Sequence, residues 1–176
     1  VGLQKKYAIG IGPCMQKLVN EGKLSNDMVT DVKLVTAAAC DFRMSGGNGS
    51  VMTYLGSGNQ GIETMLPAAV AAKHLGVSEE KLLRAELLGM LIIMYMKRHV
   101  GRLSPICGAT LAGSGSAAAI TYMMGGNLEQ ICGAVQNMMG GVAGIFCDGA
   151  KGGCALKLSI CAGEAVYAAM YAMDNS

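Results

Sequence analysis

Two long stretches without a charged residue limit what this chain can fold into. Residues 103–128 contain no Asp, Glu, Lys or Arg, and neither do residues 130–147. Stretches of this length form either membrane-spanning helices or helices buried inside a protein. The first stretch contains five glycines and several Ser and Thr residues, and neither stretch has the aromatic belt that is typical of membrane spans. Buried core helices are the better interpretation, and membrane insertion is the weaker alternative.

The composition describes a chain with much interior and little charged surface. The length of 176 residues is enough to bury the core of one domain over residues 1–176. Because 52% of the residues are hydrophobic and only 15% are charged, we expect a partner to cover part of the surface. Lys and Arg number 14 against 12 Asp and Glu, and no basic block exceeds two residues, as at Lys97-Arg98. Nucleic acid is therefore not an expected partner.

The cysteines and the first residue indicate the setting of the protein. Seven cysteines form no Cys-x-x-Cys pair, and an odd number does not suit a secreted disulfide framework. We therefore expect a reduced, cytoplasmic protein. The sequence begins with Val1 and has no signal peptide, so we interpret it as a piece of a longer protein.

Periodicity and helix-end signals predict a mainly α, compact helical domain with buried central helices, Gly-rich loops and little or no β-sheet. The run from 87 to 96 is apolar on every side, which predicts a central helix rather than one at the surface. A short β-like run covers 51–55. One predicted helix begins at Ser25 or Asn26 and ends near Met44. Another has Ser104 as its N-cap and Pro105 as its first residue. Four further helices are predicted over 67–75, 78–98, 127–140 and 153–172.

The sequence GSGNQG at residues 56–61 satisfies the G-x-G-x-x-G pattern of dinucleotide-binding loops. That fingerprint also needs a second strand ending in an acid about 20 residues later. Because Glu79 and Glu80 begin a helix instead, nucleotide binding is not favoured. The loop nevertheless offers backbone N–H groups at a helix start, which suits a carboxylate. A plain turn between packed elements is the alternative.

Three cysteines fall where ligating thiols are expected. Cys107 lies in a predicted first helical turn, which favours thiolate, and Cys147 and Cys154 bracket a charged, Gly-rich loop. Three thiolates can hold a cubane iron-sulfur cluster and leave one iron open. Cys161 competes with Cys154 for the third position, but the two lie about 10 Å apart along a helix, so Cys154 is preferred. We interpret the remaining cysteines as small apolar side chains: Cys14, Cys40, Cys132 and Cys161.

Three ordered motifs resemble those of the iron-sulfur L-cysteine desulfidases and of their relatives, the alpha subunits of iron-sulfur L-serine dehydratase. The motifs are GSGNQGI at 56–62, GRLS at 101–104 leading to CGA at 107–109, and CDGAK at 147–151 leading to CA at 154–155. The intervals 147 − 107 = 40 and 154 − 147 = 7 are similar to those between the family's three cluster ligands. The resemblance covers most of residues 44–160.

The resemblance implies a lyase. Cys107, Cys147 and Cys154 would bind a [4Fe-4S] cluster with one open iron, and the reaction would be β-elimination from a small L-amino acid. L-cysteine would give pyruvate, ammonia and sulfide, and L-serine would give pyruvate and ammonia. The expected substrate-binding residues are Ser57, Gly58, Asn59, Gln60, Gly61, Arg102 and Lys151, with Asp148 as a further candidate for orienting the substrate or tuning the cluster.

The family's catalytic base belongs to an N-terminal region that no segment of this chain resembles. We therefore expect the C-terminal, cluster-binding part of a serine dehydratase-like alpha chain, inactive alone, whose partners are that region and a second copy of the chain. The alternative is a noncatalytic helical assembly module whose cysteines are all structural.

Overall fold

The computed structural model describes residues 2–4, 7, 9–101 and 104–176. These residues contain no β-strand, only two isolated bridges that join Tyr54 to Ser57 and Ile106 to Phe146. They form seven α-helices: α1 Ile11–Asn20, α2 Met28–Met44, α3 Gly58–Leu75, α4 Glu79–Val100, α5 Gly108–Met123, α6 Leu128–Val142 and α7 Cys154–Met173. The prediction of a mainly α fold is confirmed.

Helix α5 is the centre of the fold. All but two of its 16 residues are buried, and it packs against α3, α4, α6 and α7. Its sequence is mostly Ala, Gly, Ser and Thr, so neighbouring helices approach its backbone closely. The first charge-free stretch is therefore core along α5, as predicted. The same prediction for the second stretch was wrong, because only Ala134, Met138 and Val142 of α6 are buried where this helix packs against α5 and α7. Among the described residues, none of the helices combines the length and the apolar character that crossing a bilayer requires.

The crossing of α4 over α5 depends on two facing glycines. A Cβ added at Gly89 would lie 2.6 Å from the carbonyl oxygen of Gly115, and one added at Gly115 would lie 2.7 Å from the carbonyl oxygen of Gly89. Backbone atoms face each other here, so no side chain can move aside. Any larger residue must push the two helices apart.

We expect Gly89→Ala to lower the free energy of unfolding by about 1–3 kcal/mol, because the methyl group forces α4 away from α5. Urea unfolding followed by circular dichroism measures this change. Gly140→Ala is the matched control, since a Cβ at this position in α6 meets nothing within 4 Å. It should stabilise the chain by about 0.5–1 kcal/mol through helix propensity. Equal effects of the two variants would contradict the close backbone contact.

Most predicted helix ends are confirmed, but three local predictions were wrong. Helix α2 is capped by Asp27, whose Oδ1 accepts from the Thr30 N–H at 2.8 Å, and not by Ser25 or Asn26. Helix α3 begins at Gly58 and not at the predicted residue 67, because Ser57 caps it there. Pro67 therefore lies in the helix interior, where tertiary packing compensates for the backbone hydrogen bond that proline cannot donate. Residues 51–55 form no strand.

The predicted central position of α4 was also wrong. Only Ala85, Gly89 and Ile93 of this helix are buried, because α4 packs against α5 and α3 on one side only. Its other side carries a row of exposed apolar side chains, which we call the α4 apolar face: Leu83, Leu87, Leu91, Met94 and Tyr95. In the described part of the chain, nothing covers this face.

Candidate functional site

A tight turn precedes α3 and sets the direction of the glycine loop. Tyr54 and Ser57 exchange two backbone hydrogen bonds, with N–H to O=C distances of 3.1 and 3.0 Å. The two residues between them, Leu55 and Gly56, have φ values of 49° and 81°. Positive φ at both central positions is the pattern of type I′ turns, and it explains the glycine at 56. Leu55 also has a positive φ although it carries a Cβ, which is uncommon for a bulky residue.

The first turn of α3 has two backbone donors to offer. The amides of Gly58 and Asn59 make no hydrogen bond among the described residues, as is usual at a helix start. The Ser57 hydroxyl accepts from the Gln60 N–H at 3.3 Å. The Gly61 amide, which the sequence suggested as a carboxylate ligand, donates instead to the Ser57 carbonyl at 3.2 Å. Gly61 has a packing role, since a Cβ there would collide with the Met52 carbonyl oxygen.

Arg43 of α2 contacts the first turn of α3, and the sequence did not indicate it as a site residue. Its Nη1 donates to Oδ1 of Asn59 at 2.9 Å, and its Nε occupies the place that a Cβ of Gly58 would take. The Cys40 thiol lies on the same side, 3.7 Å from Asn59 Oδ1. The oxygen of the Asn59 amide is therefore held toward α2.

Cys107 and Cys147 are neighbours because two extended segments pair before α5 and after α6. The Cys107 N–H donates to the Ile145 carbonyl at 2.8 Å, and the Cys147 N–H donates to the Pro105 carbonyl at 2.7 Å. The prediction that Ser104 and Pro105 begin a helix was therefore wrong: α5 begins at Gly108, and Cys107 is its N-cap residue. The residues just before Gly108 pair with a segment about 40 residues later in the sequence, and they are extended where a first helical turn was predicted.

One cavity of about 190 Å³ joins the glycine loop to the cysteines. Larger cavities of about 500 and 360 Å³ among the described residues include at most one cysteine each. Six residues singled out by sequence line the smaller cavity: Ser57, Asn59, Gln60, Cys107, Cys147 and Cys154. Lys97, Ser104, Gly108 and Leu158 are further lining residues, and of these Lys97 was missed as a site residue.

The other predicted residues are placed differently. Gly58 and Gly61 lie in the first turn of α3 but do not line the cavity, and Lys151 pairs with Asp148 at its mouth. Arg102 falls outside the described residues.

The three cysteines differ in exposure. Cys107 and Cys154 are each 8% exposed, whereas Cys147 is exposed. Burial raises the pKa of Cys107, and this effect outweighs the opposing influence of the Ala109 amide and the Lys157 charge. The expectation that the helix start favours thiolate at Cys107 was therefore wrong, because desolvation of the charged form has the larger effect on its pKa.

The remaining cysteines divide into two pairs. Cys40 and Cys161 are fully buried, as small apolar side chains would be, while Cys14 and Cys132 are exposed. Burial raises the pKa of the Cys40 and Cys161 thiols, which makes both poor nucleophiles. None of the four lines the cavity between the glycine loop and the three cysteines.

A group of charges surrounds the loop between Cys147 and Cys154. Asp148 pairs with Lys151 at 2.5 Å and with Lys157 of α7. The hydrogen bonds from Lys151 and then Lys157 hold the pKa of Asp148 well below its usual range, and the bond to Asp148 raises the pKa of Lys157. Sequence analysis missed Lys157, although its position three residues after Cys154 places both on one helix face.

The cavity offers thiols as its possible metal-binding groups. Within the described ranges, no three His, Cys, Asp or Glu side chains come close enough to hold one metal ion. In a cubane iron-sulfur cluster, each thiolate binds a different iron. Three free thiols on the wall of one cavity are the type of donor that such a cluster needs.

Comparison with known proteins places the chain in a family. A family model described as serine dehydratase alpha chain matches residues 2–176. A UPF0597 protein of Photobacterium profundum is 46% identical over 174 residues, which is 99% of this chain and 41% of that protein. UPF0597 proteins of Desulfatibacillum aliphaticivorans and Clostridium botulinum are 42% and 43% identical over 175 residues, 99% of this chain and 40% of each. No solved structure gives a significant match.

The match extends over nearly all of the chain, while the chain spans about two fifths of the length of these curated relatives. The resemblance inferred from the three motifs is confirmed at the level of the family. The chain belongs to the serine dehydratase alpha chain family.

Proposed function

We propose that this chain is the cluster-binding part of a [4Fe-4S]-dependent lyase that catalyses β-elimination from a small L-amino acid. The observation that carries the proposal is the convergence of Cys107, Cys147 and Cys154 with the glycine loop on one cavity. Cys107 precedes Cys147 by 40 residues in the sequence, and the pairing of the segments before α5 and after α6 brings it beside the loop from Cys147 to Cys154. Family membership supports the proposal at the coarser level of a serine dehydratase-like enzyme.

The glycine loop is suited to binding the substrate's two charged α-groups. The unbonded amide of Asn59, which lines the cavity at the start of α3, would hold the α-carboxylate with help from the helix dipole. Arg43 keeps the Asn59 side chain turned toward α2. Gln60 is buried, and its Oε1 accepts no hydrogen bond among the described residues. This acceptor is suited to the substrate's α-ammonium group.

Cys107, Cys147 and Cys154 would hold the cluster, which when bound would supply Lewis-acid polarisation of the β-thiol or β-hydroxyl leaving group. A base removes the α-proton, and the β-substituent leaves with its bonding electron pair. The aminoacrylate then takes up water and releases ammonia to give pyruvate. L-cysteine plus water thus gives pyruvate, ammonia and hydrogen sulfide, and L-serine gives pyruvate and ammonia. We place the base in a part of the longer protein that precedes this chain.

The α4 apolar face suggests where that further part of the protein packs. The chain spans about two fifths of its relatives, and five large apolar side chains of α4 are exposed. Covering them with another segment of the same polypeptide, or with a second copy of the chain, would remove an apolar surface that single domains rarely expose. Free cysteines and a thiolate-bound cluster suit a reducing compartment, for which we propose the cytoplasm.

The same face favours the second candidate, a noncatalytic helical module that assembles with a partner. In that case the three cysteines would be structural, and the cavity would bind neither iron nor an amino acid. The two candidates differ in cluster binding and in turnover, so one set of measurements on the intact protein separates them.

We expect the intact protein, reconstituted anaerobically with iron and sulfide, to develop thiolate-to-iron absorbance in the visible range. It should then release pyruvate and ammonia in equal amounts. Parallel assays with L-cysteine and L-serine identify the substrate, because only L-cysteine releases sulfide. A protein that remains colourless and releases no pyruvate from either amino acid would favour the noncatalytic module.

A further inference from the structure

The segment that carries Cys147 lies on the surface and has little packing to hold it. Residues 146–151 are all exposed, and even the side chain of Phe146 is 70% exposed. The preceding residue, Ile145, is the last one packed against the core, and burial returns only at Cys154. Hydrogen bonds, rather than apolar contacts, must therefore determine where the Cys147 thiol points.

Two hydrogen-bonded anchors hold the residues beside Cys147, while the Cys154 thiol contacts the Lys151 N–H and the Gly149 carbonyl farther along the segment. The first is the Cys147 N–H bond to the Pro105 carbonyl at 2.7 Å, which ties the segment to the strand-like residues before Cys107. The second is Lys157 of α7. Its Nζ donates to the Phe146 carbonyl at 2.8 Å and to the Asp148 carboxylate. Lys157 therefore binds the residues immediately before and after Cys147.

The position of Lys157 links two of the three cysteines. Cys154 is the first residue of α7, and Lys157 follows it within the same helical turn. The lysine side chain is 21% exposed, against 55% for Lys151, so it is the better shielded of the two partners of Asp148. Lys151 bonds to Asp148 from within the same loop, whereas Lys157 ties that loop to a packed helix.

We propose that Lys157 is a positioning residue that fixes the Cys147 thiol relative to Cys154 by binding the Phe146 carbonyl and the Asp148 carboxylate. Its role toward the cluster rests on the function proposed above. Its role toward the loop does not, because the contacts exist in the chain without any bound group. The two parts can therefore be tested separately.

The first test is amide hydrogen exchange on the intact protein without iron. Lys157→Met keeps the length of the side chain but removes the charge, and should raise the exchange rate of the Cys147 amide by about tenfold or more. Lys151→Met is the matched control and should change this rate less than about threefold, because it leaves the helix anchor in place. Lys157→Arg should restore protection. An unchanged Cys147 amide in Lys157→Met, or an equal effect of Lys151→Met, would overturn the proposal.

The second test is iron content after anaerobic reconstitution. We expect Lys157→Met to bind about half as much iron per chain or less, with a melting temperature within about 3 °C of the wild type. Lys157→Arg should recover the iron content. Full loading of Lys157→Met would refute the role toward the cluster. Should Lys157→Met fold poorly, Asp148→Asn retains the Phe146 carbonyl contact and should give an intermediate exchange rate, while an unaltered rate would count against the proposal.

The two proposals fail in different ways. A wild-type protein that takes up no iron would refute the proposed function, yet the exchange rate of the Cys147 amide would still decide the positioning role of Lys157. Conversely, normal exchange in Lys157→Met together with a fully loaded wild type would refute the positioning role alone.

Discussion

Cys147→Ser in the intact protein is expected to abolish the visible iron-sulfur absorbance and to lower kcat for amino-acid elimination by about 10³-fold or more. A serine hydroxyl remains protonated near neutral pH and does not replace a thiolate on iron. Cys107→Ser and Cys154→Ser should have the same effect, because each thiol would bind a different iron atom. The measurements are absorbance, iron content and pyruvate release.

Two control variants make this experiment specific. Cys132→Ser changes an exposed cysteine of α6 that lies beside a different cavity, and it should leave cluster and turnover intact. Cys161→Ala removes the cysteine that competes with Cys154 as third ligand in sequence, and it should also retain the cluster, since Cys161 does not line the cavity. Loss of the cluster in Cys161→Ala but not in Cys154→Ser would transfer the third ligand to Cys161.

Local sequence signals predicted those parts of the fold that local interactions determine. The helices predicted from residues 78 and 127 begin as expected: Ser78 caps α4 by accepting from the Lys81 N–H, and Asn127 with Gln130 forms the capping box of α6. Each of these signals needs only residues within one helical turn. The charge-free sequence of α5 also predicted its burial, since a helix without charged side chains loses little hydration inside the protein.

Predictions that depended on tertiary partners were less successful. The start of α5 could not be read from Ser104-Pro105, because residues 104–107 pair with a segment that follows α6. The apolar circumference of α4 indicated burial, but the helices available in this chain cover only one of its sides. In both cases the residues of the element itself do not show which neighbour it meets, because that neighbour is far away along the sequence.

The candidate site shows the same division. Spacing favoured Cys154 over Cys161 as the third ligand, and the resemblance to a family selected the same three cysteines, which line the cavity. Arg43 carried no signal, and Lys157 carried only its helical spacing from Cys154, because an isolated basic residue on a helix is usually a solvated charge. Their contacts with Asn59 and with the Cys147 segment appear only once α2, α3 and α7 are packed.

Glu63 of α3 gives a prediction about stability that involves neither the cluster nor the substrate. Its side chain is fully buried, and neither carboxyl oxygen has a hydrogen-bond partner among the described residues. Burial raises the pKa of this carboxyl well above its ordinary value. The charged form would be costly at this position, so the folded protein retains the proton at pH values where the unfolded chain has released it.

The direction of the resulting pH dependence follows from proton binding. Below about pH 4, Glu63 is protonated in both states and makes no difference to their balance. Between the ordinary carboxyl pKa and the raised folded pKa, the native state binds more protons than the unfolded state, so stability falls as the pH rises. The decline amounts to at most about 1.4 kcal/mol per pH unit.

We expect Glu63→Gln to remove this decline, because the amide has the same shape and does not ionise. The free energy of unfolding of the variant relative to the wild type should therefore increase by up to about 1.4 kcal/mol for each unit from about pH 5 to about pH 7. Urea unfolding at several pH values measures the difference, in which the titration of all other groups cancels. Glu129→Gln changes an exposed carboxyl of α6 and should shift stability by less than about 0.5 kcal/mol throughout. Parallel curves for Glu63→Gln and wild type would mean that Glu63 is ionised in the folded protein, and a buried cation or ordered water would then have to compensate its charge.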